Sequence, residues 1–236
     1  MAPNPLIALL LWFPAFLFST TVHEAAHALV AMWGGDRTAY QGGQVTLSPL
    51  PHIRREPIGM LVVPLVTSLT QGWAMGWASS PYDPWWAERY PRRAAWMAAA
   101  GPAGNFLIAF AAFALLKAGL ALGWFSAPSS VVFDRLVVPA GTGSGLVGFA
   151  ATALSILLML NVILGAFNLV PLPPLDGATV AELFLPENAA RSLRTLARTP
   201  AFSIVGLIVA WNVFPHVVRP LFGFVVDLLH PGLYAH

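Results

Sequence analysis

The sequence contains no cysteine. Disulfide frameworks, thiolate zinc sites and thiol nucleophiles are therefore excluded, and the redox compartment is left open. Charge is scarce too: 12 Lys+Arg and 10 Asp+Glu stand in 236 residues, or 9%, against about 25% in a soluble domain. With 57% hydrophobic residues and a mean hydropathy of +0.70, the chain has too little polar surface to cover a soluble globule. Disorder requires the opposite composition. What remains is a polytopic membrane protein. The net charge of +2 and the scattered Arg residues give no footing for nucleic acid. The first five residues, Met1-Ala2-Pro3-Asn4-Pro5, lack the basic start of a secretory signal, so the first apolar run reads as a retained span.

A span needs about 20 apolar residues. Residues 6–31, 94–122 and 145–170 qualify, the last leading on to residue 177. Residues 58–78 form a shorter run broken by Pro64, Gly72 and Gly76. Residues 201–229 are long enough but carry Pro215, His216, Arg219 and Pro220, which leaves a kinked span or a short hairpin. No connection has room for a second domain, so residues 1–236 read as one membrane-embedded unit. The fold class is an all-α polytopic membrane protein of about four to six transmembrane helices, with a re-entrant segment and a short β-hairpin near the active site. That hairpin is expected at Thr38–Tyr40 and Gln44–Leu47, around Gly42-Gly43. Its edge could pair with an extended peptide, or it could be a hairpin with no partner.

Charge sets the expected orientation. If residues 58–78 dip in and return, Arg37, Arg54, Arg55, Arg89, Arg92, Arg93, Arg191, Arg194 and Arg198 share one side and Arg135 lies on the other. A full crossing would scatter them. The positive-inside rule favours the re-entrant arrangement with the N-terminus outside. Trp33, Trp73, Trp77, Trp85, Trp86 and Trp124 read as interfacial anchors, and Lys117 as a snorkelling side chain.

Inside the first apolar run stands His23-Glu24-Ala25-Ala26-His27. Ionisable groups within a span suggest function. Residues four apart lie on one helix face, so both imidazoles can meet one tetrahedral zinc, with Glu24 beside them as general base. Such a motif supplies two ligands; a third must come from elsewhere. Asp176, in Pro171-Leu172-Pro173-Pro174-Leu175-Asp176-Gly177, is the candidate, although spacing alone favours an N-cap of the helix expected over residues 178–185. To reach the metal it must emerge on the basic side, which the re-entrant parity allows. Asp36, Asp83, Glu88 and Asp134 lie in polar loops, and Glu182 and Glu187 are expected to face solvent.

Taken in order, these segments resemble the site-2 proteases, intramembrane zinc metalloproteases, in their compact bacterial form without a PDZ domain. The residues that carry the resemblance are His23-Glu24-Ala25-Ala26-His27, Gly42 to Ile53, Gly72-Trp73-Ala74-Met75-Gly76-Trp77-Ala78, Ala100-Gly101-Pro102-Ala103-Gly104-Asn105, and Phe167-Asn168-Leu169-Val170-Pro171 through Leu175-Asp176-Gly177. Ser79-Ser80-Pro81 departs from the Lys-Pro pair usual in compact relatives. The resemblance implies one zinc per chain held by His23, His27 and Asp176, Glu24 as the catalytic carboxylate, and Asn168 near the metal. It implies transmembrane protein substrates, a bilayer setting in a bacterial inner membrane with the site toward the cytoplasm, and regulated intramembrane proteolysis.

Several roles have two readings. Asn168 is either an oxyanion donor or an inter-helix hydrogen bonder. Asn105 has the same pair of readings, with Gly101, Ala103 and Gly104 favouring close helix packing. His52 reads as structural. Arg191, Arg194 and Arg198 read as facing headgroups or water. The alternatives to a protease are a catalytically silent escort of membrane segments that keeps the zinc site, and a metal transporter, which would need a continuous polar path that the apolar outer halves of the spans do not offer.

Overall fold

A computed structural model describes residues 5–141, 145–197 and 199–233. Helix α1 (Pro5–Trp33) is followed by the short helices α2 (Thr38–Gln41) and α3 (Pro49–Arg55). A π-helical turn (Ile58–Val62) runs into α4 (Val63–Gln71), and α5 (Pro84–Arg89) leads to α6 (Pro91–Ala121). Strands β1 (Phe125–Ser126) and β2 (Val138–Pro139) precede α7 (Leu146–Asn168), α8 (Asp176–Ala181), α9 (Glu187–Ala197) and α10 (Pro200–Leu229). Among the described residues, four helices are long and apolar enough to cross a membrane: Leu9–Trp33, Pro91–Ala121, Leu146–Asn168 and Ala201–Leu229. At 1.5 Å per residue the shortest is about 35 Å long, more than a hydrocarbon core of about 30 Å. The chain is an integral membrane protein.

The direction of each span follows from its contacts. Going up α1, His23 meets Asn105 and His27 meets Met97, so α1 and α6 are antiparallel. Phe106 of α6 lies against Gly165, and residues 109–116 share a core with residues 151–159, so α7 runs back again, parallel to α1. α10 completes the bundle, running from the end where Asp176 lies to the opposite end. Its Gly206 sits on the Pro173 carbonyl, Phe214 stacks edge-on against Phe167, and Lys117 donates to the Leu228 and Leu229 carbonyls. Residues 201–229 therefore form one continuous span with Pro215 and Pro220 inside it, not a hairpin. Lys117 neutralises the C-terminal carbonyls of that helix, where orphan acceptors and a partial negative charge gather.

Between α1 and α6 the chain makes a shorter excursion. The 14-residue helix over Ile58–Gln71 is too short to span, at about 21 Å. It ends on Gly72 at φ 78°, a left-handed C-cap open to a residue without Cβ. The chain then returns: Met75 N–H donates to Thr67 Oγ1, and Trp77 N–H donates to the Gly59 carbonyl at 3.1 Å, so residue 77 lies back beside the start of the helix. Ala74 packs with Trp12, Phe16, Ile156 and Leu160, fastening this return to α1 and α7.

Some expectations are corrected. Residues 38–41 are a helical turn, not a strand. Asp36 is buried; Thr38 N–H and Oγ1–H donate to its Oδ1 and Asp83 N–H donates to its Oδ2, so local side-chain acceptance wins over strand pairing. The strand pair lies instead at 125–126 and 138–139, beyond the far end of α6. Trp86 is buried and donates to the Gly34 carbonyl, so it packs rather than anchors, whereas Trp33, Trp77, Trp85 and Trp124 are exposed. Glu182 is not solvent-facing: its side chain is 7% exposed and pairs with Arg194 at 3.1 Å. Burial raises the Glu182 carboxyl, the Arg194 charge opposes that, and Glu187 adds to it. Arg198 lies outside the described residues.

Candidate metal centre

The site is built on consecutive turns of α1. His23, Glu24 and His27 are all buried, at 4–6% exposure. Each histidine has its Nδ1 tied back. His23 Nδ1 donates to Asn105 Oδ1 at 2.6 Å, and His27 Nδ1 donates to the Met97 carbonyl at 2.7 Å. A ring whose Nδ1 bears the proton presents a bare lone pair at Nε2. The two Nε2 atoms point at each other across 3.0 Å. Asp176 Oδ2 closes the triangle at 3.1 Å from His23 Nε2 and 3.3 Å from His27 Nε2.

Three lone-pair atoms this close repel unless a proton or a cation lies among them. The size of the triangle decides what fits. Bonds of about 2.0–2.1 Å in a tetrahedral site place ligand atoms about 3.3 Å apart, near the separations here. Helix α6 passes over the two Nε2 atoms at Gly101, which has no side chain. A Cβ there would overlap His27 Nε2 and lie 2.6 Å from His23 Nε2, so α6 leaves a hollow where the lone pairs converge. His23, His27 and Asp176 are the one group of this kind among the described residues, and they fit a zinc-like cation.

Asp176 is the first residue of α8, with Leu175 at the cap position, and its carboxylate makes no capping hydrogen bond. The N-cap reading therefore does not hold. Gly177 packs its backbone onto the Leu169 and Val170 carbonyls, which folds the loop tightly enough to bring Asp176 under α1.

Glu24 lies beside the triangle. Its backbone carbonyl accepts from Ser80 Oγ at 2.9 Å, while its buried Oε2 has no hydrogen-bond partner in the protein. A buried carboxylate oxygen left open is costly unless a ligand or water meets it. Asn168 ends α7, and its Nδ2 donates to the Leu164 carbonyl at 3.0 Å, within its own helix. It is not drawn into the triangle. Asn105 makes the inter-helix bonds expected of it, to Ser19 and Asn161, and also touches His23 directly. His52 is buried with its Nε2 on the Thr46 carbonyl, a structural role. Asn161 was not singled out by sequence reasoning, although a lone carboxamide at the centre of an apolar span was the available signal; it donates to Ser19 Oγ and accepts from Asn105.

A His-Glu-x-x-His helix completed by a carboxylate from a third span's extension, all within four apolar spans, defines a membrane-embedded metalloprotease. The family model described as Peptidase family M50 matches residues 12–211, and the chain belongs to that family. The resemblance to site-2 proteases is thereby borne out. The chain is 31% identical over 206 residues to "Putative zinc metalloprotease YwhC" of Bacillus subtilis (strain 168), covering 87% of this chain and 82% of that one. No solved structure matches it.

Proposed function

We infer that this metalloprotease is a zinc-dependent endopeptidase cutting transmembrane segments of other proteins. The observation that carries the reading is the convergence of His23 Nε2, His27 Nε2 and Asp176 Oδ2 within 3.3 Å under Gly101, with Glu24 open beside them. Zinc held there supplies a Lewis acid that makes water nucleophilic near pH 7. Glu24 accepts a proton from the attacking water and delivers it to the departing amine, so that one peptide C–N bond breaks and the water's O and H atoms end on the two products. Asn105 and the Met97 carbonyl keep the two rings aimed. Asn168 spends one N–H on Leu164 and retains a second, which suits it to meet the developing oxyanion.

The substrate must be unwound, because a helix shields its own peptide bonds. The setting argues for membrane segments as substrates: the site is built from spans, and His23 stands ten residues, about 15 Å, inside the end of α1. The basic loops follow that end, and the positive-inside rule supports a site toward the cytoplasmic side of a bacterial inner membrane. Residues 58–78 act as the re-entrant element, and regulated intramembrane proteolysis is the process this chemistry serves.

The test is reconstitution of the zinc-loaded chain with a generic single-span substrate, compared with Glu24→Gln. Removal of a general base costs about 10²–10⁴-fold in rate, and the variant is expected to keep its zinc. Cleavage by Glu24→Gln at the wild-type rate would overturn the proposal.

A further inference from the structure

Behind the metal triangle a chain of buried polar groups crosses three spans. Ser19 of α1, Asn105 of α6 and Asn161 of α7 are each 0% exposed. Asn161 Nδ2 lies 2.8 Å from the Leu157 carbonyl and 2.8 Å from Ser19 Oγ. A backbone carbonyl only accepts, so the amide nitrogen of Asn161 must face it and Oδ1 must face the other way, toward Asn105. Asn105 Nδ2 donates to that Oδ1 at 2.8 Å and to the Ser19 carbonyl at 3.3 Å, which again only accepts. Both amides are thus fixed in direction by backbone oxygens at their backs. Asn105 is left with one atom to offer His23, its Oδ1, at 2.6 Å. That oxygen demands a proton on His23 Nδ1 and so leaves the lone pair on Nε2, facing His27 and Asp176.

We propose that Asn161, with Ser19, is a positioning residue for the metal centre: acting through Asn105, it holds His23 in the tautomer and ring orientation that binds the metal. The inference rests on the metal reading above and adds a residue 138 positions from His23 whose hydrogen bonds go to Asn105, Ser19 and Leu157 and to none of the three ligands. Without Asn161, the Asn105 amide loses its 2.8 Å partner and is held in direction only by the longer 3.3 Å bond to the Ser19 carbonyl; a rotated Asn105 would present its amide hydrogens to His23 Nδ1, which would then carry the lone pair while Nε2 carried the proton. The competing role is plain adhesion. Inter-helix hydrogen bonds in membranes contribute about 0.6–2 kcal/mol and are common without any other task. Adhesion alone changes how stable the bundle is. It does not change how tightly a folded bundle holds zinc, nor which ring nitrogen is protonated.

The experiment measures zinc affinity by chelator competition on the full chain in detergent, for wild type, Asn161→Leu, Asn105→Leu and the double variant. Thermal unfolding is recorded alongside. Ser155→Ala is the adhesion control: Ser155 is also buried on α7 and bonded to backbone groups, but toward Leu136 and away from the site. Second-sphere partners of metal-bound histidines typically govern 10–100-fold in affinity. Asn105→Leu is expected to lose that much and Asn161→Leu about tenfold, with the double variant no weaker than Asn105→Leu, because one acts through the other. Ser155→Ala should lower the unfolding temperature and leave zinc affinity unchanged. The ¹⁵N spectrum of histidine-labelled wild type should show His23 protonated at Nδ1, with that signature lost or mixed in Asn161→Leu. Ser19→Ala removes only the hydroxyl and is expected to shift affinity in the same direction by a smaller factor, so a failure of Asn161→Leu to fold leaves the proposal testable. Wild-type zinc affinity in Asn161→Leu and Ser19→Ala, or additive losses in the double variant, would overturn it while leaving the metal reading intact. A wild-type chain that takes up no zinc would overturn both.

Discussion

At the scale of single residues, the chemistry depends on what is missing at Gly101 as much as on the charged groups. The hollow over the two Nε2 atoms exists because position 101 has no Cβ. Alanine is the better helix former by roughly 1 kcal/mol, but its Cβ would overlap His27 Nε2 and crowd His23 Nε2, so Gly101→Ala should push the two buried rings aside and lower the stability of the metal-free chain. It should also abolish zinc uptake and proteolysis. Unfolding temperature of the metal-free protein and zinc content after dialysis read the two effects separately, and normal zinc loading in Gly101→Ala would contradict the geometry. The residues at this scale were unequally legible. His23, Glu24 and His27 announce themselves by spacing, since a period of 3.6 turns i and i+4 onto one face. Asp176 needed a topology argument to bring it within reach. Asn105 and Asn161 carry no such signal, because a carboxamide within a span is the same letter whether it glues two helices or aims a histidine. Only the direction of the hydrogen bonds around it distinguishes the two.

At the scale of elements, the sequence patterns predict spans better than they predict what lies between them. Apolar length marks α1, α6 and α7 to within a few residues, because a membrane asks little more of a helix than length. The C-terminal stretch was ambiguous because Pro215 and Pro220 break backbone hydrogen bonds that a span can still tolerate when neighbouring helices support it. Strand pairing around Gly42-Gly43 was misread because the pattern of residues says nothing of Asp36, whose carboxylate takes the Thr38 N–H and hydroxyl and ties this turn to Asp83 N–H. The excursion over residues 58–78 is the element on which parity depends. The chain has no native cysteine, so Tyr40→Cys, Tyr82→Cys and Trp124→Cys each carry a single thiol. Their parent side chains are 53%, 47% and 60% exposed. In right-side-out and inverted vesicles, positions 40 and 82 are expected to react with an impermeant maleimide from one side and position 124 from the other. Reaction of positions 40 and 82 from opposite sides would mean that the excursion crosses the membrane.

At the scale of the whole molecule, the metal centre ties together helices that otherwise meet through buried apolar cores and a few polar contacts. α1 supplies two of its groups, α8 the third, α6 the hollow and the support for both rings. Metal binding to the folded state alone therefore stabilises the entire bundle, by about 4 kcal/mol when free zinc is a thousand times its dissociation constant. Chelation should lower the unfolding temperature of wild type markedly and leave that of His27→Ala, already without a full site, nearly unmoved. Equal shifts in both proteins would place the stabilising metal elsewhere.

The central claim, that His23, His27 and Asp176 together hold one zinc ion, is tested most directly by zinc K-edge absorption on the full chain. The expected result is one zinc per wild-type chain with two imidazole nitrogens and oxygen ligands at about 2.0–2.1 Å, and a zinc-free Asp176→Ala protein that still folds. A wild-type chain without zinc, or an Asp176→Ala spectrum identical to wild type, would contradict it.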